Sequence, residues 1–275
     1  MTAVLLASVS AALFGAMTVA IRFGLRTLDD ARGAAAATVA VAFVVSLAAW
    51  GFNPGIRGAW PFLVTGAFAP GVSQVLFTLA VKEVGASRTA IAVGAAPLVA
   101  VTIALIALEE PLRAPLVVGA ASIVAGGVLL AAERDRPEHL RPLGLVFAAI
   151  CTVLFATRDN IARALHTHTA APTAAAATLL AGSLVAMAWA RRPPTRRELA
   201  RMWPAGFCFG LSYVCLFEAY FRGRVSVVSP LVATESLWGV VLSALFIRHT
   251  EGVGRRLVLG ALLVVAGGVL IGAAR

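Results

Sequence analysis

The fifteen residues VGAASIVAGGVLLAA (118–132) return 141 positions later as LGALLVVAGGVLIGA (259–273), nine of them identical. The same offset lays LFGAMTVAIR (13–22) on LFATRDNIAR (154–163), Glu110 on Glu251 and Gly119 on Gly260. One residue of slip sets LFTLAVK (76–82) on LFEAYFR (216–222), and a slightly larger one sets Trp60-Pro61 on Trp203-Pro204. Self-similarity of this kind marks a tandem duplication, and it constrains the architecture before any element is assigned. The two copies run over residues 1–135 and 140–275.

Each copy is made of apolar runs. Of 275 residues, 60% are hydrophobic and 13% are charged; soluble domains carry about twice that charged fraction. Roughly 20 apolar residues cross a bilayer as a helix. Lipid offers the backbone no partners, so each run must satisfy its own hydrogen bonds. Ten spans are expected: 3–23, 33–52, 60–81, 89–108 and 114–132, then 143–164, 170–190, 203–221, 225–247 and 255–274. The fold class is an all-α polytopic membrane protein with ten transmembrane helices. Five spans per copy is an odd number, so the second copy crosses the membrane upside down. Two inverted five-helix repeats place a site between the copies near the midplane. Exchanging the conformations of the copies then moves its opening from one face to the other.

The polar breaks between spans are short, such as RTLDDARG, LEEPLRAP and ERDRPEHLRP, and none can hold a soluble catalytic domain. The net charge of +10 comes from basic residues in these loops. There they orient the chain and meet anionic lipid, so membrane lipids rather than nucleic acid are the expected partners. Loops one, three, five, seven and nine hold 16 of the 23 Lys and Arg. Placing that face in the cytoplasm of an inner membrane puts both termini on the periplasmic side. The first span reads as a membrane helix and not as a cleaved leader, because no basic residue precedes Arg22. Cys151, Cys208 and Cys215 fall inside spans and read as small buried hydrophobes. His166 and His168 have no further ligands near them, and no phosphate loop or nucleophile elbow is present. No metal and no cofactor is expected.

Two five-span repeats, each closing with a glutamate, a glycine and AGGVL, resemble the drug/metabolite transporter superfamily of the EamA type. LFGAMTVAIR and LFATRDNIAR resemble that family's opening helices, with Phe14 and Phe155 where tryptophan is usual. The resemblance implies a carrier of small solutes, usually an exporter of amino acids or related metabolites. It also implies a central cavity lined by spans 1–4 and 6–9, with spans 5 and 10 outside. Many members of the family keep both termini in the cytoplasm, opposite to the placement from the charge count.

Gly119 and Gly126, like Gly260 and Gly267, are seven apart and form a small-residue groove on one helix face. In lipid, helices associate by close packing, which glycine permits. These grooves are expected to seat spans 5 and 10 against their own bundles, the alternative being a contact in a homodimer.

Differences between the copies carry the chemistry. Met17, Thr18 and Val19 become Arg158, Asp159 and Asn160; Thr78 becomes Glu218; Gly94 becomes Glu235. An ionised group at mid-bilayer costs about 2.5–3.5 kcal/mol on insertion scales, so such residues face water, a partner or a ligand. Glu235, deep in span 9, is expected to line the cavity and to exchange a proton there; the alternative is a buried structural acid. Arg158 is expected to hold a substrate carboxylate by paired hydrogen bonds, to pair with Glu235, or to reach the headgroups. Asp159 with Arg163, and Glu218 with Arg222, are spaced to pair along their helices. Arg22 ends its span and reaches the headgroups, while Glu110 and Glu251 cap the helices that follow them.

Pro70, Pro97 and Pro230 lie inside spans 3, 4 and 9 and are hinge candidates. The candidate substrate-binding set is Phe14, Met17, Ser73, Gln74, Phe77, Phe155, Arg158, Tyr213, Phe217, Glu235 and Trp238. Apolar walls with few polar groups suit an amphipathic small molecule; for any single aromatic the alternative is core packing or lipid contact. The tryptophans at span ends, Trp50, Trp60, Trp189 and Trp203, read as an interfacial belt. The expected function is secondary transport of small metabolites by alternating access, with amino-acid export leading, in a monomer or homodimer. The alternatives are a drug or nucleotide-sugar transporter of the same fold, and a non-transporting scaffold or membrane enzyme.

Overall fold

The computed structural model describes residues 2–51, 55–96, 98–99, 114–131, 141–223, 225–247 and 254–273. Every regular element among them is helical. The first repeat contributes α1 (Thr2–Gly24), α2 (Ala31–Gly51), α3 (Trp60–Gly66), a wider π turn over Ala67–Val72, α4 (Ser73–Val84), α5 (Ala86–Val93) and α6 (Ala114–Ala131). The second contributes α7 (Leu143–Ala164), α8 (Ala171–Ala190), α9 (Arg196–Arg222), α10 (Val225–Val232), α11 (Glu235–Phe246) and α12 (Arg255–Ala273). Six stretches of the described residues are long and apolar enough to cross a membrane: α1, α2, the run Trp60–Val84, α7, α8 and α9.

Local chemistry sets the element ends. α9 starts seven residues ahead of the expected 203 because Thr195 and Glu198 form a capping box: Glu198 N donates to Thr195 Oγ1 at 3.3 Å and Thr195 N to Glu198 Oε2 at 2.7 Å. That reciprocal pair satisfies amides which a helix start otherwise leaves open. Span 3 is not one straight rod. Ala69, just before Pro70, leaves the helical region (φ −138°, ψ 103°), as proline forces on its predecessor. Span 9 is likewise two pieces, α10 and α11, separated by a turn at Ala233 and Thr234. The turn from α4 to α5 passes through Gly85 at φ +86°, a conformation that favours glycine.

Packing relates the two repeats by a pseudo-two-fold. α1 lies on α9, and its counterpart α7 lies on α4; α2 lies on α9, and its counterpart α8 lies on α3 and the π turn. The pairs α2–α8, α5–α11 and α6–α12 map onto themselves under the exchange. Specific contacts fix the directions. Cys151 donates to the Ser73 carbonyl at 3.2 Å, while Gly144 packs on Glu83 and Val84, so α7 runs antiparallel to α4. Ser10 and Ser212 hydroxyls meet at 2.9 Å, while Gly24 packs on Met202, so α1 runs antiparallel to α9. α1 and α4 belong to the first and third spans and cross in the same sense; α7 therefore crosses opposite to α1. The faces agree. The loop after α1 meets the loop after α8 through Asp30 and Arg192. The loop after α7 meets the loop before α3, where Gly58 packs on His168.

The repeated glycines do something other than expected. α6 and α12 pack antiparallel on each other within one chain, with Gly126 against Gly260 and Gly267 against Gly119. A Cβ at Gly126 would lie 2.7 Å from the Gly260 carbonyl oxygen, and one at Gly267 would lie 2.5 Å from that of Gly119. The groove is thus a seam between the last helices of the two copies, neither a seat on each helix's own bundle nor a contact between chains. Identical small faces brought together by a two-fold match each other automatically, and this is why the phrase is written twice.

Two arginines also act differently. Arg22 Nη1 donates to the Val81 and Lys82 carbonyls at 3.3 and 3.2 Å. Its counterpart Arg163 donates to the Tyr220 carbonyl at 3.1 Å. Each ends the opening helix of its repeat and caps the third, whose last carbonyls have no partner within the helix. Neither reaches outward as Arg22 was expected to, and Arg163 does not pair with Asp159.

Candidate functional site

Three of the polar residues that distinguish the second copy, Arg158 and Asp159 on α7 and Glu235 on α11, line one small cavity, and α9 backs it with Tyr213. Arg158 and Asp159 on α7 are both buried. Arg158 Nε donates to Asp159 Oδ1 at 2.8 Å, and Nη2 stands 2.7 Å from the same oxygen. Arg158 Nη1 donates to the Tyr213 hydroxyl at 2.8 Å, and Tyr220 donates to Asp159 Oδ2 at 3.1 Å. The guanidinium carbon lies 4.9 Å from the Phe155 ring centre and 5.0 Å from that of Tyr213. Ion pairing, hydrogen bonds and aromatic faces together hold a buried cation that none of them would hold alone.

Glu235 opens α11 and is buried beside this pair. Among the described residues its carboxylate makes no hydrogen bond. A cavity of about 20 Å³ separates it from Arg158 and Asp159, with Ser10, Phe14 and Phe155 on the remaining walls. That volume admits roughly one water molecule, so the site is closed around its polar groups. Aromatic rings floor it: Phe14 meets Phe77 at 5.4 Å, Phe155 at 5.7 Å and Phe209 at 6.1 Å between ring centres. Below the rings, Gln74 Nε2 points at the Met17 sulfur, 3.9 Å away.

The sequence pattern of the EamA-like transporter family matches this sequence twice, over residues 1–132 and 142–273. The chain belongs to the EamA-like transporter family. A solved structure described only as "Crystal structure of protein" is similar to it with a TM-score of 0.72 at 20% identity. The similarity covers 98% of this chain and 95% of that one, and it supports the fold alone. No curated protein matches the sequence.

In this EamA-type chain the expected binding residues separate into three groups. Phe14, Phe155, Arg158 and Glu235 line the cavity, and Tyr213 stands one hydrogen bond behind. Met17, Ser73, Gln74 and Phe77 are buried in the layer beneath, where the Ser73 hydroxyl and the Gln74 carbonyl oxygen have no partner among the described residues. Phe217 stacks between Tyr213 and Phe62, at 5.8 and 6.0 Å, away from the cavity. Trp238 does not face it at all and is 44% exposed on the outer side of α11. Glu235 and Gly239, one turn apart, take the inner face, with Gly239 packed on Ala90 of α5. Pro70 packs on Gly182 of α8 at the break in span 3. Pro230 lies in α10, ahead of the turn in span 9. Pro97, Glu110 and Glu251 lie outside the described residues.

Pairings differ from the spacing-based ones. Arg158 takes Asp159 rather than Glu235, because the long guanidinium folds back beside its own helix neighbour. Glu218 and Arg222 do pair, at 2.6 Å. Ser10 and Tyr220 were missed as site residues. A signal existed for the second: the chain has only two tyrosines, seven apart, and both contact this ion pair.

Among the described residues the two faces of the EamA-type fold are tied unequally. On the face of the loops after α1 and α8, Arg192 bridges Asp30 at 2.7 Å and Glu198 at 2.6 Å. Arg197 donates to the Thr27 carbonyl at 3.0 Å, and Lys82 to that of Asp29 at 2.6 Å. On the opposite face the described tie between repeats is Thr173 donating to the Gly55 carbonyl at 3.0 Å.

Proposed function

We propose that this chain is a secondary carrier that moves small amine-bearing metabolites, amino acids foremost, by alternating access through the cavity between its repeats. The observation that carries the reading is the antiparallel pairing of duplicated helices around a buried polar cavity. A pseudo-two-fold in the membrane plane gives two mirror conformations of similar packing, each opening one face. The charged ties around Arg192 support a state shut on their side. The cavity wall residues Ser10 and Arg158 lie nearer the other face: Ser10 is close to the start of α1, and Arg158 is close to the end of α7. With the basic loops in the cytoplasm, this is the state shut toward the cytoplasm, in a chain whose termini are periplasmic.

Purified protein in liposomes, offered labelled amino acids, nucleosides and cationic dyes, is expected to carry members of the first group with saturable flux. Glu235→Gln is expected to lower that flux and to change its dependence on pH, because the variant keeps the shape of the group and removes its charge. Flux with the same pH profile in both proteins removes Glu235 from the mechanism. Absence of saturable flux for every class defeats the carrier reading.

A further inference from the structure

Charge around the cavity is one-sided. Three of the five N–H groups of Arg158 are engaged, those on Nε and Nη2 with Asp159 and one on Nη1 with Tyr213, so its charge is already matched. Arg158 and Asp159 cancel. Among the described residues on the cavity wall, Glu235 is the one ionisable group without a partner. Among the described residues that line the cavity the first repeat supplies no cation, and the positions matching Glu235 and Arg158 are Gly94 and Met17. An ionised carboxylate in a medium of low dielectric is costly until a cation meets it. A solute carboxylate faces the reverse. A carboxylate that approaches Arg158 shares the guanidinium with Asp159 and stands beside Glu235, and like charges inside a protein repel strongly.

Resting on the carrier reading above, we infer that this cavity recognises its solute by a cationic ammonium held at Glu235, and that a free carboxylate on the solute is not required. The next polar group below the aromatic floor agrees. The Gln74 carbonyl oxygen is an acceptor, wholly buried and without a partner among the described residues, and it suits a passing N–H donor. The solute class is therefore primary amines and amino-acid derivatives whose carboxyl is neutral, with free amino acids bound through their ammonium end.

Three compounds with one side chain separate the alternatives: leucine, leucinamide (ammonium without carboxylate) and N-acetyl-leucine (carboxylate without ammonium). Binding to the purified chain in detergent is measured by calorimetry, alongside saturable flux of leucine in liposomes. Leucinamide is expected to bind at least as tightly as leucine and about tenfold more tightly than N-acetyl-leucine. Glu235→Gln is expected to erase that preference, and Glu235→Asp to keep most of it, which separates charge from misfolding. Gln74→Leu is expected to weaken leucinamide severalfold. N-acetyl-leucine binding as well as leucinamide, a preference that survives Glu235→Gln, or no binding of leucinamide overturns the inference. In each case leucine flux that still saturates leaves the carrier reading standing, and its absence removes both.

Discussion

Arg158 and Asp159 are neighbours on a helix, where side chains leave the axis about 100° apart and do not normally face each other. They pair here because the guanidinium is long enough to turn back and because Tyr213 and Tyr220 on α9 hold the two partners from one side. The pair exists only in the folded bundle. Breaking a buried ion pair from one side leaves an uncompensated charge, worth about 3–5 kcal/mol. Arg158→Ala is therefore expected to lower the thermal unfolding midpoint of the detergent-solubilised protein sharply. The double variant Arg158→Ala with Asp159→Ala is expected to recover part of the loss. A double variant less stable than the single one would show that the two residues do not act as a pair.

At the scale of elements, the α6–α12 seam and the Arg192 cluster make separate predictions. The seam depends on backbone approach. Replacing Gly267 by valine pushes a branched side chain against the Gly119 carbonyl and Ile123, and overpacking of this kind costs about 1–3 kcal/mol. The expected result is a lower melting midpoint with leucinamide affinity unchanged, since neither helix touches the cavity. The Arg192 cluster ties two loops on one face, and its expected role is kinetic. In a chain with Cys208→Ser and Cys215→Ser, Arg192→Ala is expected to raise labelling of Cys151 by a membrane-impermeant thiol reagent supplied from that face. Cys151 sits between α4 and α7, which must part if that side opens. Unchanged labelling would mean that the cluster does not hold the face shut.

For the whole molecule the pseudo-two-fold is the governing relation. It maps Ser10 on Ser212 to Cys151 on Ser73, Arg22 capping α4 to Arg163 capping α9, and the glycine seam onto itself. The alternating access proposed above draws on this repetition of contacts. Single labelling sites at 29 and at 167, both exposed, are expected to react from opposite sides of sealed vesicles. Reaction of both from one side would contradict the antiparallel arrangement.

The sequence by itself determined the class, the duplication and the inversion. Hydrophobic run length and an odd span count follow from the thickness of a bilayer and from the backbone's need for hydrogen bonds, both of which act on the chain locally. It also marked Glu235, Arg158 and the glycine phrase as unusual, because charge in lipid and repeated small residues are costly without a purpose. Only the tertiary structure decided what these residues meet: Asp159 and Tyr213 for Arg158, the sister helix for the glycines, a half-exposed place beside Gly15 of α1 for Trp238. Partners more than a helix turn apart are chosen by how the two copies pack. A sequence read along one strand of text carries the period of each helix but not the angle at which one helix faces another.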